Sequence, residues 1–86
     1  MKQLKRELQA LANERRLQIL AFIKKEKQPT VGAIARHLRL SFPSTSRHLS
    51  ILEKANILDK KQKSLEVRYF LVGDLPKVSS LVLSQI

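Results

Sequence analysis

Two amphipathic segments separated by the short turn "RLS" constrain the fold of this chain more than any other feature. The first, "VGAIARHL", follows Thr30, whose hydroxyl oxygen can cap a short helix. The second, "FPSTSRHLSILEKA", follows Ser41, which can cap a longer helix, and Pro43 is tolerated because first-turn amides lack helical partners. Asn56 can adopt the left-handed conformation that ends this helix. The pattern therefore predicts two consecutive helices joined by a tight turn.

The segments before this pair predict two further helices. Leu4, Leu8 and Leu11 recur at helical spacing among charged residues, which indicates an amphipathic helix with a narrow apolar stripe. The stretch "RLQILAFIKK" is apolar around most of a helix circumference, so we expect a central buried helix that ends before Pro29. Its apolar side chains are Leu17, Ile19, Leu20, Phe22 and Ile23.

The remainder of the chain changes period and then returns to helical spacing. In "ILDKKQKSLEVRYFLV" apolar and polar residues alternate, which predicts a hairpin with a basic tip near "KKQKS". The alternating apolar residues are Leu65, Val67, Tyr69 and Leu71. The tail predicts a last helix with Leu75, Val78, Val82 and Ile86 on one face and Leu81 beside them. We expect a single domain over residues 1–86, mostly α with a small β-hairpin (α+β), in the order α-α-α-α-β-β-α.

Charge and composition narrow the class of partner. The 86 residues carry a formal net charge of +10, from 17 Lys and Arg against 7 Asp and Glu, which favours a polyanion such as nucleic acid. A chain of this size often needs a second subunit to bury enough apolar surface. The chain has no cysteine, which excludes disulfides, thiolate metal sites and Cys nucleophiles. We expect a cytoplasmic protein, associated with the nucleoid when bound to DNA.

The polar face of the fourth predicted helix is suited to contact with DNA. At 100° per residue, five residues lie opposite its apolar side: Pro43, Ser46, Arg47, Ser50 and Lys54. Small hydroxyls allow close approach, and Arg can bond a guanine edge bidentately in a major groove that admits one helix. Lys60, Lys61, Lys63 and Arg68 add a cationic cluster on the hairpin. A short helix, a tight turn, a longer helix and a basic hairpin are the order of a winged helix-turn-helix.

Three segments of the chain resemble the ArsR family of winged-helix regulators. "LANERRLQIL" is similar to that family's "LADPTRLRIL", and "VRYFL" is similar to its wing strand "VYYRL". "IARHLRLSFPSTSRHLSILEKANIL" is similar to "LAxxLGLSxxTVSRHLxxLxxAGLV", and this match is the most specific. The resemblance covers most of the chain. It implies a homodimeric repressor that binds an inverted-repeat operator in double-stranded DNA.

The resemblance also implies roles for individual residues. Ser46 and Arg47 would read bases, Ser41 and Ser44 would lie near phosphates, and the wing would follow an adjacent groove. The full candidate set for DNA contact is Ser41, Phe42, Pro43, Ser44, Ser46, Arg47, Ser50, Lys60, Lys61, Lys63 and Arg68. The first and last helices would form the dimer interface. Its candidate residues are Leu4, Leu8, Leu11, Leu75, Val78, Leu81, Val82 and Ile86.

Three positions depart from the family pattern. Arg39 stands where the family usually has a turn glycine, so a left-handed backbone there would cost roughly 1 kcal/mol, or the turn differs. Phe42 replaces a residue that is usually polar, and could touch a thymine methyl or pack against Leu40. The segment "PTVGAIARHL" lacks the cysteine pair of the metal-sensing members. We therefore expect regulation without metal and no cofactor, and leave any small-molecule effector open.

The other chemistry-bearing residues favour structural roles. His48 lies on the core side of its helix, which favours a hydrogen-bonded packing role, and His37 either approaches phosphate or is solvated. No carboxylate pair, Ser-His-Asp order or glycine-rich phosphate loop is present, so we predict no enzymatic activity. Two alternatives remain: a winged-helix module that binds protein, and a sensor of an unidentified ligand through nitrogen and oxygen donors.

Overall fold

The computed structural model describes all 86 residues, and its architecture is a winged helix-turn-helix. The helices are α1 (Lys2–Leu11), α2 (Glu14–Glu26), α3 (Val31–Leu38), α4 (Phe42–Lys54) and α5 (Lys77–Leu83), and the strands are β1 (Leu58–Lys63) and β2 (Glu66–Leu71). This order confirms the predicted one. Helices α3 and α4 form the helix-turn-helix pair, and the antiparallel strands form the wing. No helix combines the length and apolarity that crossing a membrane requires.

Side-chain caps fix where the central helices begin. The amide of Ala33 donates to Thr30 Oγ1, and the amide of Ser44 donates to Ser41 Oγ, both at 3.1 Å. Asn13 caps α2 in the same way. Each cap stabilises its helix by about 1 kcal/mol relative to alanine. The predicted caps of α3 and α4 are therefore confirmed, and they set the register of the helix-turn-helix pair.

The turn between α3 and α4 keeps a left-handed residue although it has no glycine. Arg39 has φ 55° and ψ 42°, and the amide of Leu40 donates to the Ala35 carbonyl at 3.0 Å. This bond spans five residues and closes the helix in the manner of a Schellman motif. Asn56 is likewise left-handed, with φ 64°, and ends α4 as predicted. The turn thus retains its geometry at the conformational cost of about 1 kcal/mol for a non-glycine residue.

The core is formed around α2 and the inner faces of α3 and α4. Its largest fully buried apolar side chains are Ile19, Leu20, Ile23, Ile34, Leu49, Leu52, Ile57 and Leu58. Leu17 and Phe22, predicted as part of a helix buried on most sides, are only half-buried. The predicted apolar face of α3 is buried in full. The inner face of α4 packs into this core. The opposite face of α4 is therefore directed toward solvent.

The wing is attached to the core at the base of its two strands. The amide of Tyr69 donates to the Pro29 carbonyl and that of Val72 to the Ile57 carbonyl, both at 3.1 Å. The predicted strand that included Leu65 is wrong at its start, because β2 begins at Glu66. The chain reverses through left-handed Ser64, with φ 59°, which leaves Leu65 in the turn at the wing tip. The lysines lie along β1 rather than only at the tip.

A buried carboxylate joins α1 to α5. Glu7 is 3% exposed, and its Oε2 accepts from the amide and the hydroxyl of Ser79 at 2.6 and 2.5 Å. Ser79 lies in the first turn of α5, where amides lack helical partners, and Pro76 at the N-cap has no side-chain oxygen to satisfy them. Glu7 therefore supplies from α1 the cap that the sequence around α5 lacks.

The predicted interface residues of α1 and α5 are exposed to different degrees within the subunit. Leu11 is 6% exposed and belongs to the core of its own subunit, while Leu4 and Leu8 are 41% and 48% exposed. On α5 the buried residues are Ser79 and Leu83, neither of which was in the predicted stripe. Three predicted interface residues instead pack partly against the core: Leu75, Val78 and Val82. The side of α5 that faces the core therefore includes Ser79, which bonds Glu7, and Leu83.

Candidate nucleic-acid interface

Helix α4 presents a polar face whose side chains are exposed or half-exposed. Thr45, Leu49 and Leu52 are buried on its other side, and Thr45 Oγ1 donates to the Ser41 carbonyl at 2.9 Å. The predicted contact residues on α4 are exposed or half-exposed: Phe42, Pro43, Ser44, Ser46, Arg47 and Ser50. Ser41 is exposed as well, although its hydroxyl oxygen is used in the cap. The structure therefore leaves the predicted α4 residues accessible.

Two of the four predicted wing cations are committed to partners within the subunit. Lys60 Nζ lies 3.5 Å from Glu53 Oε1. Arg68 Nη1 donates to the Gln28 carbonyl at 2.8 Å, and its Nη2 lies 3.4 Å from Glu66 Oε1. Both ion pairs are largely open to solvent. Each carboxylate therefore offsets only part of the positive charge that Lys60 and Arg68 offer to DNA.

Lys61, Lys63 and Arg47 have no carboxylate within ion-pairing distance. Lys61 and Lys63 lie on one side of the wing, beside a groove of about 510 Å³. The groove is lined by Gln28, Lys61, Gln62, Lys63, Glu66 and Arg68. Among the predicted DNA-contact residues, these two lysines and Arg47 are therefore the cations without an ion-pair partner.

Beneath α4, one guanidinium connects three helices. Arg16 Nε donates to the Ala10 carbonyl at 2.7 Å and Nη2 to the Gln9 carbonyl at 3.1 Å. Its Nη1 lies 3.1 Å from His48 Nδ1. Because arginine can only donate, Nδ1 of His48 must accept, which places the histidine proton on Nε2. The predicted hydrogen-bonded packing role of His48 is confirmed.

The environment of His48 disfavours its protonated form. Burial lowers the pKa of His48 below its ordinary value, and the positive charges of Arg16, Arg47 and Arg15 lower it further. Burial also lowers the pKa of Arg16. Arginine nevertheless remains charged at any pH of interest, because its unperturbed pKa is so high. The pair is thus a charged donor and a neutral acceptor.

Helix α1 also contacts the far end of α4. Gln3 Nε2 donates to the Ala55 carbonyl at 2.9 Å, and Asn56 Nδ2 donates to Gln3 Oε1 at 3.1 Å. Together with Arg16, this contact fixes α4 at its middle and at its end. The orientation of the polar face of α4 therefore depends on α1.

His37 lies away from the polar face of α4. Its ring stacks on Phe22 with centroids 4.1 Å apart and an angle of 19° between the planes. No three His, Asp or Glu side chains of the structure converge on one point. The geometry of these side chains therefore offers no ready-made metal site.

Known proteins are similar to this chain in sequence and in fold. Residues 13–60 match the model of the bacterial regulatory protein, arsR family, and this match covers more than half of the chain. The chain belongs to the ArsR family. The matched segment runs from the cap of α2 to the start of the wing, and it contains the whole predicted α4 face and Lys60.

Among ArsR relatives, the transcriptional activator HlyU of Vibrio cholerae is 36% identical over 64 residues. That alignment covers 74% of this chain and 58% of HlyU, so the chain spans less than two thirds of this relative's length. The solved structure of HlyU from Vibrio cholerae superposes with a TM-score of 0.81 at 28% identity, covering 98% of this chain and 88% of HlyU.

Two further solved structures support the same fold. One is the homodimeric winged helix-turn-helix DNA-binding domain of a possible ArsR-family regulator from Mycobacterium bovis. Its TM-score is 0.83 at 25% identity, over 98% of this chain and 74% of that one. The other is the transcriptional repressor PagR of Bacillus anthracis, with a TM-score of 0.79 at 25% identity, over 99% of this chain and 94% of that one.

Sequence reasoning missed three residues that shape this ArsR fold around the interface. Arg16 lies in a segment that carried the family resemblance, and its position after the capping Asn13 was a usable signal. Glu7 and Gln3 gave no signal, because each lies in a charged, polar stretch typical of a solvated helix face. Their partners are 72 and 52 residues away, beyond the reach of any local pattern.

Proposed function

We propose that the protein is a homodimeric transcription regulator that binds double-stranded DNA in a sequence-specific manner and represses by occupying its operator. One observation carries this proposal. The polar face of α4 is accessible, small in bulk and positively charged, while its opposite face is fixed in the core. A helix-turn-helix protein places such a helix in the major groove.

Arg47 and Ser46 are the proposed base readers. Arg47 is exposed and has no ion-pair partner, so its guanidinium is available for bidentate contact with guanine. Ser41, Phe42, Pro43, Ser44 and Ser50 flank them on the same helix and would contact phosphate, sugar or base edges. The charge of Lys61 and Lys63 supports phosphate contacts along the wing, with Lys60 and Arg68 as weaker contributors because of their internal partners.

The proposed dimer uses the exposed leucines of α1 and α5. Leu4 and Leu8 on α1 and Leu81 on α5, which is 66% exposed, would be left in water by a monomer. The related domain from Mycobacterium bovis is homodimeric. A two-fold dimer would present two copies of α4 to an inverted repeat with half-sites about 10 bp apart.

The proposed mode of action is steric exclusion of polymerase from the operator. PagR, a relative by fold, is a repressor, whereas HlyU is an activator, so the sign of regulation needs its own assay. In vitro transcription from a template with the bound site next to a promoter would give less product if the proposal is correct. We further propose that the protein works in the cytoplasm on nucleoid DNA, without enzymatic activity and without a metal cofactor.

Selection of bound fragments from random duplex DNA tests the function as a whole. We expect a two-fold symmetric motif to be enriched within a few rounds, with binding that weakens as salt increases. The same selection with the Arg47→Ala variant should yield a different or degenerate motif. Recovery of no motif, together with salt-independent retention of fragments, would contradict the proposal and favour a protein-binding winged helix.

A further inference from the structure

Leu65 is an apolar side chain at the tip of the wing that no element of the fold uses. It is 96% exposed, and it lies in the turn between left-handed Ser64 and Glu66. A leucine in this position buries nothing within its own subunit. Its apolar surface is therefore available to a partner outside the subunit.

A cleft separates Leu65 from the start of α4. The cleft measures about 200 Å³ and is lined by Thr30, Val31, Gly32, Phe42, Leu65, Glu66 and Val67. Phe42, the first residue of α4, is itself 59% exposed. Two exposed apolar side chains thus belong to one cleft, one from the proposed recognition helix and one from the wing.

Charge decides which occupant fits the wing tip. Lys61 and Lys63 precede Leu65 on β1 without ion-pair partners, so the tip is the end of a positively charged arm. A symmetric contact between two copies of this chain would bring these lysines against their equivalents. A polyanion is attracted instead, and the net charge of +10 favours the same partner.

The position of the tip also selects the groove of the DNA. If α4 lies in the major groove, one sugar–phosphate strand separates it from the neighbouring minor groove. The wing tip lies across the cleft from Phe42, so that strand would pass between the two elements. Leu65 would then be next to the minor groove, where some proteins insert apolar side chains such as Leu between base steps.

We infer that Leu65 enters the minor groove beside the α4 site and selects flanking base pairs that lack a minor-groove amino group. This inference rests on the proposed DNA-binding function. Guanine alone places a donor, its N2 amino group, in the minor groove. A leucine against that group would remove its water without offering an acceptor, which disfavours a G·C pair at the contact. The inference adds a specificity-determining residue outside the helix-turn-helix.

Inosine substitution isolates the minor groove in a binding experiment. The probe is a labelled duplex obtained by random selection with the unmodified protein, with A·T, G·C or I·C pairs placed in turn in the flanks. Inosine keeps the major-groove edge of guanine and lacks the N2 amino group. We expect the G·C flank to weaken binding roughly fivefold and the I·C flank to restore it.

Leu65→Ala and Leu65→Met provide the matched variants. We expect Leu65→Ala to lose roughly fivefold in affinity for the A·T flank. This variant should also bind the G·C and I·C flanks with equal affinity. Its slope of log affinity against log salt should stay unchanged. Leu65→Met should retain the affinity for the A·T flank and the preference for I·C over G·C. Lys63→Ala should reduce the salt slope but keep the preference for I·C over G·C. Equal thermal melting of the Leu65 variants is expected, since this side chain is almost fully exposed.

Two results would overturn this inference and are distinct from failure of the proposed function. The first is full affinity of Leu65→Ala with the G·C penalty intact, which would assign Leu65 to a different partner such as a protein. The second is equal affinity of the unmodified protein for all three flanks. If the unmodified protein bound no duplex at all, the proposed function would fail first and this inference with it.

Discussion

Arg16 Nη1 lies 3.1 Å from Nδ1 of His48, and this contact joins the start of α2 to the middle of the proposed recognition helix. The same guanidinium is held by the carbonyls of Gln9 and Ala10 at the end of α1. A change that breaks the Arg16–His48 bond therefore removes a link between the end of α1 and α4, the helix that carries Arg47.

Protonation of His48 should weaken the fold as the pH is lowered. The pKa of His48 in the folded state is below its unfolded value of about 6.5, so the unfolded state binds more protons in the window between the two. The stabilising contribution is complete above about pH 6.5 and is lost as the pH falls through the folded pKa. Urea unfolding at a series of pH values between 7.5 and 4.5 measures this loss.

Two variants separate His48 from the other titrating groups. His48→Asn keeps an acceptor near the position of Nδ1 but does not titrate, so the pH dependence in this window should become shallower. His37→Gln replaces the other histidine of the chain, which is exposed and stacks on Phe22, and serves as the matched control. An identical pH profile for His48→Asn and the unmodified protein would show that protonation of His48 does not control the pH dependence of stability.

Arg47→Ala should weaken binding to the selected site by roughly 1 to 3 kcal/mol and relax one base position. The physical reason is the loss of a bidentate contact with guanine, which the charge alone does not replace. Arg47→Lys should therefore recover much of the non-specific affinity but little of the sequence preference. Fluorescence anisotropy on the selected duplex and on a scrambled one gives both quantities. Lys54→Ala, at the end of the same face, is the control and should change both duplexes equally and slightly.

Removing Lys61 and Lys63 together should make DNA binding less sensitive to salt. Each phosphate contact contributes about 0.9 to the slope of log affinity against log salt, so the slope should fall by roughly 1.8. Lys60→Ala is the matched control, because Lys60 lies on the same strand but 3.5 Å from Glu53. Its effect on the slope should be smaller than that of either unpaired lysine. Equal effects of all three lysines would show that the ion pair opens when DNA binds.

Leu8→Glu and Leu81→Glu should each convert a dimer into a folded monomer. Both side chains are exposed in the subunit, so a charge there leaves the fold intact but would be buried in the proposed interface. Sedimentation at micromolar concentration measures the change, and operator affinity should fall with it. Leu65→Ser, on the wing, should stay dimeric. Leu11→Ala should instead cost roughly 2 to 5 kcal/mol of unfolding free energy, since Leu11 lies in the core.

Operator affinity should not respond to zinc. The chain has no thiolate, His37 is stacked on Phe22, and Nδ1 of His48 is already occupied by Arg16. Anisotropy with saturating zinc and then with chelator, at equal ionic strength, should give the same affinity. A reversible tenfold difference, about 1.4 kcal/mol of coupling, would contradict regulation without metal.

The sequence by itself determined the order of the elements and the boundaries of the helix-turn-helix pair. Thr30 and Ser41 act on amides only three residues away, and Asn56 changes the backbone at its own position. Such signals are complete within one helical turn, so they can be recognised in the sequence alone. The polar face of α4 was predictable for the same reason, because helical periodicity fixes which residues lie opposite Leu49 and Leu52.

Only the tertiary structure decided how the outer elements are oriented and which charges remain free. Leu11 could face the core or a partner, and the rotation of α1 that buries Glu7 against Ser79 assigned it to the core. Lys60 and Lys61 are neighbouring residues of the same type, yet only Lys60 forms an ion pair with Glu53. These contacts join different secondary-structure elements, and their free energy depends on packing that no local pattern encodes. The sequence therefore specified the parts of this ArsR protein, and long-range contacts specified the surfaces those parts expose.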